Sequence, residues 1–190
     1  MRKQMLGFVL LAFVAAVPAQ AADYVIDTAN HHAFIQFKIS HLGFSFVLGR
    51  FDRWNGSFSY DEKRPDASKV AVTIDMSSID TNNALRDKHL RSAEFFEVDK
   101  YPQARFVSTS FHELGNGKAL LKGNLTLHGV TRPVTIDVTE LGHGPDPWGG
   151  YRRGFTGTTT LTLKDYNIDF NLGPTARTAE LFLSLEGIRK

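Results

Sequence analysis

The chain has 190 residues, a formal net charge of +2 and no cysteine. That length fits one domain whose core is large enough to stand without disulfides. The missing cysteines exclude thiol catalysis, Cys-ligated zinc and thiol–disulfide exchange, and the balanced charge leaves no electrostatic footprint for nucleic acid.

The N-terminus reads as an export signal. Arg2 and Lys3 precede an apolar run from Met5 to Val17, and Ala19-Gln20-Ala21 matches a small-x-small cleavage site. The pattern predicts cleavage after Ala21, a mature domain over 22–190 and a periplasmic destination. The apolar run is too short to span a bilayer. Arg2 and Lys3 are the leader's only charges, so the mature chain is close to neutral.

Beyond the leader, period-two alternation dominates. Tyr24–Asp27 is a short strand. Ile35, Phe37 and Ile39 share one strand face, with Gln36, Lys38 and Ser40 opposite. His41-Leu42-Gly43 interrupts, and Phe44, Phe46 and Leu48 are expected to resume the same face. Phe51 and Trp54 are three apart, so a bulge is needed to put both rings on one side. Gly56, Phe58 and Tyr60 continue that face. Lys63–Asp66 is a turn, and Val70, Val72, Ile74 and Met76 form the next apolar face.

The stretch from Ser77 to Phe106 lacks strand periodicity. Asn82 or Asn83 can cap a short helix running to about Arg91. Two turns are too few to stand alone, so Leu85 and Leu90 must anchor the helix. Arg86, Asp87, Lys88, His89 and Arg91 crowd it. The stretch reads either as a solvated connection with a hydrophobic foot or as a polar lid over a barrel mouth.

Alternation then returns. Phe106–Phe111 is a strand, and Asn116-Gly117 signals a hairpin. Leu121, Gly123, Leu125 and Leu127 share a face. Gly129–Pro133 is expected to turn the chain before Val134, Ile136 and Val138. Gly142–Gly150 reads as a loop. Strands are expected from Phe155 through Leu163, over Tyr166–Phe170, and from Leu181 to about Ile188. Roughly eight strands with one buried and one wet face suit a closed antiparallel barrel; a sandwich fits the pattern nearly as well.

Several blocks carry a specific resemblance. His41-Leu42-Gly43-Phe44, Ile79-Asp80-Thr81-Asn82, Arg86–Ser92, Tyr101-Pro102-Gln103-Ala104 and Gly123–Thr131 occur in order across the mature chain. The sequence resembles the YceI-like polyisoprenoid-binding family. The resemblance implies an all-β, lipocalin-like extended antiparallel barrel of about eight strands, with one short helix near residues 83–91. It also implies a periplasmic, non-catalytic carrier whose apolar channel takes a polyisoprenoid lipid or an isoprenoid quinone, with no cofactor.

On that reading the channel wall draws on Ile35, Phe37, Ile39, Phe44, Phe46, Phe51, Trp54 and Phe58. The same rings equally suit a filled core. His41, Arg86, His89 and Arg91 are the head-group candidates, because the guanidinium fork matches phosphate oxygens. Structural pairing with Asp80, Asp87 or Glu94 is the competing role. A quinone head needs only donors such as histidine. Expected partners are the lipid, transient contacts with inner-membrane proteins and a second copy paired at an exposed strand edge.

Two alternatives stand beside the carrier. One is a metal-dependent hydrolase using His31, His32 and His41. Neighbouring strand residues point to opposite faces, which opposes it, and no H-E-x-x-H, G-x-S-x-G or G-x-G-x-x-G is present. The other is a structural barrel with a filled interior.

Overall fold

The structure, a computed structural model, describes residues 21–30, 32–171, 173 and 175–190. Apart from Ala21, the predicted leader lies outside the described residues, and so does His31. The strands are β1 (Ala22–Ile26), β2 (Phe34–His41), β3 (Ser45–Phe51), β4 (Trp54–Tyr60), β5 (Lys69–Asp75), β6 (Ile79–Asp80), β7 (Gln103–Gly115), β8 (Lys118–Leu127), β9 (Val130–Pro145), β10 (Tyr151–Thr162) and β11 (Thr178–Arg189). The one α-helix among the described residues, α1, spans Ala84–Arg91.

Eight strands close a ring in the order β1-β4-β5-β7-β8-β9-β10-β11, and β1 pairs with β11 to complete it. Every pairing is antiparallel. Closure removes free edges from that ring. β11 is shared along its length. Its C-terminal end pairs with β1, at Ile26↔Gly187 and Tyr24↔Arg189. Its first half pairs with β2, from Ala179↔Ile39 to Ser184↔Phe34. The β2–β3 hairpin therefore extends one end of the barrel. It reaches β6 only through Arg50↔Asp80 and Phe51↔Ile79.

Alternation drives the strands. On β8, Ala119, Leu121, Gly123, Leu125 and Leu127 are buried, while Lys118, Lys122 and Asn124 are exposed. Asn116-Gly117 turns β7 into β8 with both φ positive, at 54° and 72°, as a tight hairpin requires. For α1, Asn83 is the N-cap, and its side chain accepts from the Arg86 amide at 3.0 Å.

Besides Leu85, which is expected to anchor α1 with Leu90 but is 82% exposed, the structure departs from the sequence expectations in four places. Phe44 and Phe46 do not continue the face of Ile39. The turn over His41–Phe44 holds one residue more than a two-residue hairpin, so pairing resumes at His41↔Ser45 and Ile39 meets Val47. One extra residue flips every following side chain. Secondly, Phe51 and Trp54 are separated by a bend at Asp52-Arg53 that ends β3 and opens β4, not by a bulge. Thirdly, Tyr166–Phe170 is no strand. A 3-10 turn over Leu163–Tyr166 is closed by Asn167 in the left-handed region, φ 57°. Finally, β9 begins at Val130 and runs through Gly142 to Pro145, so the adjoining turn and loop are shorter than expected.

Candidate ligand-binding cavity

Paired residues of neighbouring strands share a face, so the interior is built in rows. One row crosses Val47, Ile39, Ala179 and Leu161; the next crosses Gly49, Phe37, Leu181 and Thr159. The lumen they enclose is not filled. Two cavities of about 110 Å³ and about 140 Å³ lie end to end, with Ile35, Ile74, Leu125 and Leu181 common to both walls. One water needs only about 10–15 Å³ on this scale. The walls are almost entirely carbon, so water gains no partners there and an apolar guest does.

The deeper cavity is walled by Phe58, Phe106, Phe111, Ile136, Val138 and Phe155, among others. The outer one is walled by Phe37, Ile39, Val47, Phe51, Phe95 and Phe96, among others. Glycines keep the rings against the wall. A Cβ on Gly49 would stand 2.2 Å from the Phe37 ring, and one on Gly123 would stand 2.3 Å from Phe106. Each ring lies over a neighbouring strand's backbone, which keeps it out of the lumen.

A polar floor closes the deep end. Arg153 is the next inward-facing residue of β10 after Phe155 and is 1% exposed. Its guanidinium donates to Glu140 at 2.8 Å and to Glu62 at 2.6 Å. It also sits over the Tyr60 ring, 4.1 Å from the centroid. The Tyr60 hydroxyl donates to Glu113 at 2.7 Å. Burial, then that bond, push the phenol above its usual range.

On the opposite, outer face of β10, Arg152 gathers acids from separate elements. It donates to Asp27 and Asp146, each at 2.8 Å, and pairs closely with Glu186. Arg152 holds the Asp27 carboxyl down at about 2. Asp27, His32 and Glu186 also bring ligand-type atoms within 4.8 Å of one another. The same carboxylate oxygens already accept from Arg152, whose positive charge stands where a cation would.

At the outer end, α1 and the chain after it form a cap. Leu90, Phe95 and Phe96 face the cavity. Thr81 is the hub that fixes the cap. Asp87 accepts from the Thr81 amide at 2.9 Å, and Arg86 donates to the Thr81 hydroxyl at 2.7 Å and carbonyl at 2.6 Å. Arg91 reaches the carbonyls of Ser77 and Ile79, each at 3.3 Å.

The sequence candidates divide accordingly. Ile35, Phe37, Ile39, Phe51 and Phe58 lie on cavity walls. Phe44 and Phe46 face outward, for the reason of register given above. Trp54 is buried but lies off both cavities, beside a polar surface groove with Asp52 and Arg53. Arg86 and Arg91 donate to the backbone of the cap. His89 pairs closely with Glu94 and packs edge-on against Phe95 and Phe170. His41 is exposed at the hairpin turn. Arg153 joins the site without being a sequence candidate. Parity signals it, because it shares the face of Phe155, Gly157 and Leu161.

Fold and cavity together define a barrel of the binding-protein class, built around an enclosed apolar space. A model of the YceI-like domain matches residues 24–186. A UPF0312 protein of Shewanella baltica is 52% identical over the whole of both chains. Among solved structures, a Campylobacter jejuni YCEI protein superposes with TM-score 0.69 at 27% identity, covering 80% of this chain and 90% of that one. BcnA of Burkholderia cenocepacia shares the fold, with TM-score 0.74 at 21% identity, covering 85% and 98%. A polyisoprenoid binding domain from Saccharophagus degradans shares it too, with TM-score 0.64 at 19% identity, covering 90% and 100%. The chain belongs to the YceI-like family.

Proposed function

We propose that this protein is a non-catalytic carrier that encloses the chain of a polyisoprenoid lipid in its barrel. The single observation that carries the reading is the pair of abutting, carbon-walled cavities along the barrel interior. Each methylene moved from water into such a space contributes about 0.8 kcal/mol, so a long prenyl chain supplies most of the attraction. The wall needs no reacting group. Family membership and the fold shared with the Saccharophagus domain support a prenyl ligand over other long apolar molecules. The sequence of residues 1–21 supports export, and a periplasmic carrier of 22–190 completes the reading.

Native mass spectrometry of the mature protein, after delipidation and incubation with a long-chain prenol, tests it. The expected result is a one-to-one adduct at the mass of the prenol. A bare protein mass at saturating prenol favours a structural barrel, and a metal adduct in its place revives the hydrolase alternative.

A further inference from the structure

The two ends of the lumen are closed by different chemistry. The outer end is covered by the carbon side chains of the cap, Leu90, Phe95 and Phe96. The deep end is closed by a buried cation, Arg153, with Glu140 and Glu62 as its partners. Apolar residues of the same volume often serve stability as well as a buried ion pair does. Packing alone therefore gives no reason to break the apolar inward face of β10 just beyond Phe155. The charges mark the place where the apolar path ends.

Tyr60 is the residue that turns this closure toward a guest. It lies on the wall of the deeper cavity, and Arg153 does not. The Tyr60 ring covers the guanidinium, 4.1 Å from it. Its hydroxyl is tied to Glu113 at 2.7 Å. Phe111 and Phe155 pack around it, with ring centroids 6.2 Å and 5.9 Å away. A ring held on its face, at its sides and by its hydroxyl does not swing aside. An apolar chain end that displaced it would meet a buried cation and its acids, and desolvated charge gains nothing from carbon.

We propose that Tyr60, backed by Arg153, is the stop that sets how many isoprene units the barrel encloses. The inference rests on the carrier reading and adds to it a length specificity and the residue that determines it. Units up to the stop are buried and strengthen binding. Surplus units stay outside and add nothing. The Tyr60 ring is slightly larger than one isoprene unit, so removing it lengthens the path by about one unit. Val138 lies on the same cavity wall, one inward position before Glu140 on β9. A larger side chain there shortens the path.

The test is isothermal titration of the delipidated mature protein with a series of prenols that differ by one isoprene unit, at a fixed detergent concentration. The affinity of the parent is expected to rise with each added unit up to a break and to be level beyond it. Tyr60→Val moves the break to a longer prenol. Val138→Phe moves it to a shorter one. Circular dichroism confirms that each variant is folded. Val138→Phe adds bulk to open space and removes no packing, so it decides alone if Tyr60→Val does not fold. A break that stays in place in a folded variant overturns the stop and leaves Tyr60 and Arg153 the task of fixing strand register. A parent affinity that climbs through the whole series overturns it too. In both cases prenols still bind and the carrier reading stands. A parent that binds no prenol of any length overturns both.

Discussion

Phe37 packs over Gly49 of the adjacent strand so closely that a Cβ there would stand 2.2 Å from its ring. The two residues are register partners across β2 and β3. The ring then leans toward Phe51, centroid to centroid 5.9 Å. A glycine thus decides whether an aromatic side chain is wall or filling. Gly49→Ala is expected to push the Phe37 ring into the outer cavity and weaken prenol binding. The overpacking costs about 1–3 kcal/mol of stability. Adding Phe37→Leu to Gly49→Ala should restore binding. Isothermal titration with both variants checks this, and a Gly49→Ala protein that binds like the parent separates the glycine from the lumen.

The register of β3 makes a sharp pair of predictions. Val47 lies on the outer cavity wall and Phe46 faces outward. Val47→Asp places a carboxylate among carbon atoms, where it must draw in water or stay protonated. Prenol affinity should drop by an order of magnitude or more. Phe46→Asp should leave affinity for micelle-dissolved prenol unchanged. Fluorescence competition with a prenol analogue distinguishes them; the reverse ranking places the strand in the other register.

The cap arginines are expected to act on both ligand types alike. Arg86 donates to Thr81, and Arg91 to the carbonyls of Ser77 and Ile79. Arg86→Gln with Arg91→Gln should weaken a prenyl phosphate and the matching prenol by similar factors, because the cap loosens. A loss confined to the phosphate would mean that the guanidinium groups leave the backbone to grip an anionic head.

Arg152 predicts an acid limit to stability. It keeps the Asp27 carboxyl charged down to about 2, below its ordinary 3.8. A carboxyl held lower in the folded state stabilises fully above its unfolded value and loses that contribution as pH falls toward the folded one. The thermal midpoint should therefore fall between about pH 4 and about pH 2. Asp27→Asn should lower the midpoint at neutral pH and narrow its difference from the parent across that window. A constant difference down to pH 2 would place the acid sensitivity in other carboxyls, Asp61 and Asp146 first, which also sit low.

Much of this architecture was legible from local chemistry. Ile35, Phe37 and Ile39 announce one face of β2, and the Asn82-Asn83 pair announces the start of α1, where Asn83 is the residue that caps. Both signals are local and strong. Alternation alone assigns β3 the wrong parity because the turn after His41 holds one extra residue, which alternation does not count. Tyr166–Phe170 alternates like a strand, but Asn167 adopts the left-handed conformation and ends the pairing pattern. Arg153 is hidden because a charge on an inward-facing position breaks the hydrophobic pattern that defines the inside; its partner Glu140 comes from the neighbouring strand and Glu62 from a distant part of the chain. Whether Phe37 fills or lines the lumen depends on Gly49, a relation that only the pairing of β2 with β3 displays.

The central claim is that one continuous guest spans both cavities, and Leu181 tests it because it lies on the wall common to both. Leu181→Trp places a large ring where the cavities meet. Affinities for a short and a long prenol, measured with a thermal midpoint to confirm folding, decide the matter. The account predicts that the folded variant keeps its hold on the short prenol and loses most of its affinity for the long one. Unchanged binding of the long prenol by the folded variant would contradict it, and would place the lipid outside the barrel interior.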